Sequence, residues 1–134
     1  MQILELFKKL IETKSETPDD GGLLDFIENY LPDFTAVRVD VEDVKNLFVY
    51  KRFGEGDHLC FAGHVDVVPA GDNWDTNPYK LVEKDGYLYG RGTQDMKSGV
   101  AAFVQALKEV ESFDGTLSLL LLSLIHISEP TRPY

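Results

Sequence analysis

The sequence predicts an α/β fold, with helices laid on a mixed, largely parallel sheet. Three observations predict it. Apolar residues recur at helical spacing near the start and again after Met96, while short apolar or alternating runs lie between and after them. The two patterns alternate along the chain, the order that layers helices on a sheet. A strand-like run, Leu59 to Ala62, leads directly into Gly63, His64 and Asp66, and ligands in open α/β sheets sit beyond the carboxyl ends of strands.

Taken in order, Ile3, Leu4, Phe7, Leu10 and Ile11 mark one face of a first helix. Ser15 to Gly22 breaks the pattern, with Pro18 to turn the chain and Asp19 and Asp20 to cap a helix. Leu23, Leu24, Ile27, Tyr30 and Leu31 mark a second helix, stopped before Pro32. Val37, Val39 and Val41 alternate with polar residues as a half-buried strand does, and Leu47 to Tyr50 reads as another. Gly54 to Asp57 turns the chain into Leu59 to Ala62, whose four consecutive apolar residues fit a strand buried on both faces. Gly71 to Pro78 is a polar loop holding Trp74. Tyr79 to Val82 and Tyr87 to Tyr89 flank Asp85-Gly86, a hairpin signal. Met96, Val100, Phe103, Val104, Leu107 and Val110 carry a third helix, and Asp114-Gly115 turns into a last strand, Thr116 to Leu121.

A length of 134 residues suits one domain with a real core. The net charge of −10 argues against nucleic acid and anionic membrane as partners. Cys60 has no internal disulfide partner and reads as a small buried hydrophobe. Lys8, Lys9 and Glu12 interrupt the opening apolar run, so neither a secretion signal nor a membrane span is expected, and the expected compartment is the cytoplasm.

Two stretches carry chemistry. In extended chain His64 and Asp66 project to the same side. That suits a metal ligand whose second ring nitrogen is held by a carboxylate. A surface histidine after a core strand is the competing reading. Asp95, in Gly90 to Gly99 (GRGTQDMKSG), stands just before the third helix. It reads as an N-cap, as a metal-bridging carboxylate at that helix end, or as both. The glycines here lack the spacing and the Gly-Lys-Ser/Thr ending of a phosphate loop.

TPDDGG, FAGHVDVVPAGD, the Trp74 to Tyr79 segment and DGYLYGRGTQDMKSG together resemble the N-terminal part of the di-zinc aminoacylase/carboxypeptidase-type metallohydrolases. The resemblance covers Met1 to about Leu121. It implies a three-layer catalytic domain, two divalent metal ions (zinc, with cobalt as an alternative), His64 and Asp95 as metal ligands, and Asp66 as the catalytic carboxylate behind His64. The implied substrate is a small N-acyl amino acid. GHVDVVP followed by AGD resembles the pattern for N-succinyl-L,L-diaminopimelate, cleaved to succinate and L,L-diaminopimelate for lysine and cell-wall precursor synthesis. A sister amidohydrolase acting on N-acetylornithine, and a non-catalytic α/β binding domain, are the alternatives.

The sequence departs from the family pattern after residue 121. The family's paired glutamates, general base and then metal ligand, should follow there, but Leu122 to Arg132 resembles a translated transposon-type sequencing adapter. Residues 1–121 are therefore expected to be a truncated catalytic domain, and 122–134 a non-native read-through tail. His126 and Glu129 are poor candidates for ligand and base. By that resemblance, no general-base glutamate is expected in this chain, and the inserted domain through which the family forms homodimers is expected to lie outside it.

Overall fold

The computed structural model describes residues 1–123. The expectations attached to His126, Glu129 and the rest of the tail from residue 124 lie outside them.

Helix α1 spans Ile3–Glu12 and turns Leu6, Phe7, Leu10 and Ile11 inward. The buried stripe is rotated from the expected one. Ile3 and Leu4 stay exposed, because the first turn projects past the core, and Leu6 takes the inward place one turn before Leu10. Helix α2, Leu23–Tyr30, buries Leu23, Leu24 and Ile27. The N-cap is Gly22, not an aspartate; Asp20 Oδ2 still accepts the Leu24 N–H of the first turn at 3.1 Å, while Asp19 Oδ1 accepts the Gly21 N–H at 2.8 Å in the turn before the helix.

The strands are β1 (Thr35–Arg38), β2 (Leu47–Arg52), β3 (His58–Gly63), β4 (Val82–Lys84), β5 (Tyr87–Tyr89) and β6 (Thr116–Leu121), with helix α3 (Ser98–Glu109) between β5 and β6. The main sheet runs β1-β2-β6-β3, and β4-β5 is a separate hairpin. In that hairpin Asp85 and Gly86 both take positive φ, 55° and 82°, as a two-residue turn matched to strand twist requires.

The sheet is mixed, but the expectation that it is largely parallel is corrected among the described residues. Only β3 and β6 run parallel; β1-β2 and β2-β6 are antiparallel. The link from β1 to β2 is too short for the crossover a parallel pair needs, whereas the hairpin and α3 together supply one between β3 and β6.

One face of this sheet makes the core. Val49 lies opposite Leu119, Leu47 opposite Leu121, and Phe61 opposite Leu119. These pack under α1, α2 and α3, joined by Val100, Val104 and Leu107. Burying each such side chain fully stabilises the fold by about 1.5–3 kcal/mol. Helices and sheet thus form two layers of the expected three among the described residues.

The opposite face presents Val37, Phe48, Tyr50, Cys60, Ala62 and Leu120, all exposed or half-buried. Two expectations therefore fail on β3. It is not buried on both faces, and Cys60 is not buried, because β3 lies at the sheet edge; Leu59 is 52% exposed and only Phe61 reaches the core. Apolar sheet faces and open edges template pairing between chains. A protein of these 134 residues alone is expected to self-associate, seen as a concentration-dependent mass by light scattering. A monomer with a sharp cooperative melt would contradict this.

Candidate metal centre

His64 directly follows the last residue of β3, so the strand sets its position at the carboxyl end of the sheet. Its Nδ1 lies 2.8 Å from the backbone oxygen of Asp66 and 3.6 Å from Asp66 Oδ1. A carbonyl oxygen only accepts, so Nδ1 carries the hydrogen and donates it. The other nitrogen, Nε2, lies 3.2 Å from Asp95 Oδ1. In the neutral ring Nε2 is a bare lone pair, and it faces a carboxylate oxygen. Two lone pairs at that distance call for a cation or a proton between them.

Asp66 is 2% exposed. Its Oδ2 accepts the hydroxyls of Thr17 at 2.7 Å and Ser123 at 3.1 Å. Backbone pairing puts Thr17 there: the Val67 N–H donates to the Ser15 oxygen and the Thr17 N–H to the Val67 oxygen, zipping 15–17 beside 65–67. Ser15 Oγ adds a bond to the Val65 oxygen at 2.8 Å. The TPDDGG stretch thereby braces the carboxylate behind His64.

Asp95 arrives from a different element. A wide turn, Thr93–Lys97, precedes α3, and the Lys97 N–H closes it on the Gly92 oxygen at 2.8 Å. Gly92 has φ +91°, and a Cβ there would stand 2.8 Å from Val67 Cγ1, so a side chain would drive this turn off the His64 loop. The N-cap reading of Asp95 is corrected: α3 begins at Ser98, and Asp95 has extended dihedrals inside the turn. Met96 likewise precedes the helix. The Asp95 side chain is 86% exposed, which leaves its carboxylate room for further partners.

The two donors fit a metal ion. Atoms each about 2.0–2.2 Å from one tetrahedral zinc lie about 3.3–3.6 Å apart, close to the 3.2 Å seen. They are two donors only: among the described residues no group of three or more His, Cys, Asp or Glu could hold a metal. Beside them opens a cleft of about 530 Å³ lined by His64, Val67, Trp74, Arg91 and Asp95. Arg91 stacks over Trp74 and donates to the Ala70 oxygen at 3.0 Å, and Trp74 Nε1 donates to the same oxygen at 3.0 Å, which pins the polar loop as the cleft wall.

Three residues of this site escape sequence reasoning: Thr17, Ser123 and Lys97. Lys97 is 1% exposed. Burial pushes its ammonium down to about 8, against the opposing pull of the Asp66 carboxylate. The only signal for Thr17 was its place in TPDDGG, and a lysine in QDMKSG gives none of its burial. The hold of Asp66 on His64 has a measurable consequence. Asp66→Asn in the full-length protein is expected to weaken metal binding about 10–100-fold, measured by cobalt titration. Unchanged affinity would show that the carboxylate does not serve the ring.

The geometry and the sequence now meet known proteins. The sequence profile of peptidase family M20/M25/M40 matches residues 60–123, the stretch that carries His64, Asp66 and Asp95. The chain is 73% identical over 123 residues to the succinyl-diaminopimelate desuccinylase of Sulfurimonas denitrificans, covering 92% of this chain and 34% of that protein. The desuccinylase of Nitratiruptor sp. is 63% identical over the same length and share. Among solved structures, the M20 family metallo-carboxypeptidase Sso-CP2 from Sulfolobus solfataricus superposes with a TM-score of 0.77 at 18% identity, over 92% of this chain and 31% of that one. The chain thus spans about a third of the length of the curated relatives it matches.

Proposed function

We propose that this chain forms the N-terminal, metal-binding part of an amide hydrolase that cleaves N-succinyl-L,L-diaminopimelate to succinate and L,L-diaminopimelate. One observation carries the metal-binding half of the reading: His64 Nε2, with its other nitrogen already hydrogen-bonded, faces Asp95 Oδ1 at 3.2 Å beside an open cleft. The substrate half is supported by the two desuccinylases at 73% and 63% identity.

In this reading His64 and Asp95 would be ligands to divalent ions, zinc or cobalt, and the exposed Asp95 carboxylate has room to serve more than one. The ions, when bound, supply an acidified water and a polarised amide carbonyl. The chain's own residues do the rest. The Asp66 backbone oxygen, 2.8 Å from Nδ1, fixes the tautomer of His64, and the Asp66 carboxylate, bonded by Thr17 and Ser123, stands behind the ring at 3.6 Å. The Trp74–Arg91 wall shapes one side of the cleft. Among the described residues no glutamate lines that cleft, and we assign the base that takes the water's proton to the part of the protein beyond this chain.

The division at residue 121, with 122–134 as a read-through tail, stands as part of this proposal. A boundary near there is supported by the family profile, which ends at residue 123 and so still includes Ser123. So do a homodimer formed through a domain outside the chain and a cytoplasmic location. No helix of the described residues is long and apolar enough to cross a membrane.

The test assays the full-length protein, metal-loaded, against N-succinyl-L,L-diaminopimelate and N-acetylornithine. The expected kcat/KM favours the succinylated substrate by at least about 100-fold, as a site built to pair a buried polar group allows. The reverse preference would assign the sister amidohydrolase. Turnover of neither, with metal bound, would favour the binding-domain alternative.

A further inference from the structure

The ammonium of Lys97 has three N–H groups and almost no solvent. Two of them are accounted for: Nζ donates to the Leu10 oxygen at 2.6 Å and to the Thr13 oxygen at 3.2 Å. These carbonyls close α1, whose last turn has no intrahelical donors left for them, and a cation at a helix C-terminus is favoured. The same ammonium is acted on by the Asp66 carboxylate. Lys97 also ends the turn that carries Asp95, two residues away. One buried side chain therefore bonds the end of α1, ends the turn bearing one candidate ligand, and lies within electrostatic reach of the carboxylate behind the other.

Building on the metal-centre reading above, we propose that Lys97 is a positioning residue. Its charge holds the Asp66 carboxylate in place behind His64 while its bonds to α1 fix the Asp95 turn, so it sets the affinity of the centre for its metal without touching substrate. A purely structural lysine would brace α1 and leave the metal unaffected.

The experiment titrates the full-length protein with cobalt(II), read by the absorbance of the bound ion, and needs no turnover. Lys97→Met is expected to weaken cobalt binding about 10–100-fold, the range for loss of an outer partner. Lys108→Met is the control: its ammonium likewise donates to a helix-terminal carbonyl, Tyr30 at 2.9 Å, on a different helix end. It is expected to bind cobalt as the wild type does. Equal affinity in Lys97→Met and wild type overturns the proposal.

In an Asp66→Asn background the effect of Lys97→Met is expected to shrink to about twofold, because coupled residues lose their effects together. A full effect persisting there also overturns it. Should Lys97→Met fail to fold, the double variant Lys97→Met/Asp66→Asn decides, since it removes the buried charge left unpaired. Folding of the double variant supports the proposal, and its failure reduces Lys97 to a brace. His64→Ala separates the two readings. If it binds cobalt like the wild type, the metal centre itself is wrong and Lys97 falls with it. If it loses cobalt while Lys97→Met does not, only the role of Lys97 falls.

Discussion

His64→Ala in the full-length protein is expected to remove metal binding at this centre and with it amide hydrolysis, a larger loss than any outer residue can cause. Losing a partner behind a ligand costs about 10–100-fold in affinity; losing the ligand leaves Asp95 facing the ion from this chain alone. The fold should survive. His64 lies just past the end of β3, outside the core built by Leu47, Val49, Leu119 and the three helices. Cobalt absorbance and calorimetry on the same preparation check both halves. Loss of binding with an unchanged melt is expected. Retained binding, or turnover within tenfold of wild type, would remove His64 from the site.

A protein of these 134 residues alone is expected to hydrolyse no N-succinyl-L,L-diaminopimelate, with or without added zinc or cobalt. Catalytic zinc ions commonly use three protein ligands each, and the described residues bring two donors together. Among the described residues the cleft beside them has no glutamate to take a proton from water. Restoring the sequence of the relatives after Leu121 should bring back two-metal binding and hydrolysis together with solubility, because the same residues complete the sheet cover and the site. A metal-dependent rate from the short protein, absent in its His64→Ala variant, would show that two donors suffice.

Much of the framework was legible because it is written in local periodicity. The stripes at 6–11, 23–27 and 100–107 turn inward as helical spacing requires. Asp85-Gly86 makes the turn its residues demand. That His64 and Asp95 meet was suggested by the pairing of two motifs rather than by periodicity, and the structure brings them within 3.2 Å. What was illegible depends on contacts far apart in sequence. Cys60 looked buried because its run is apolar, yet exposure is decided by which strands stand beside β3. Asp95 looked like an N-cap because a helix follows, yet the turn at Thr93–Lys97 sets it apart from α3. Lys97 meets Leu10 across 87 positions, and Thr17 meets Asp66 across 49. No spacing rule reaches that distance; the packing of α1 against the turn creates the first bond, and the pairing of 15–17 with 65–67 creates the second.

The central claim is that His64 and Asp95 share a metal ion. Anomalous diffraction from crystals of the full-length protein grown with zinc tests it directly, recorded on both sides of the zinc absorption edge. The account predicts an anomalous peak bonded to both His64 Nε2 and Asp95 Oδ1, at about 2.0–2.2 Å from each, with Nδ1 still turned to Asp66. A zinc peak elsewhere, with His64 Nε2 hydrogen-bonded directly to Asp95, would contradict it.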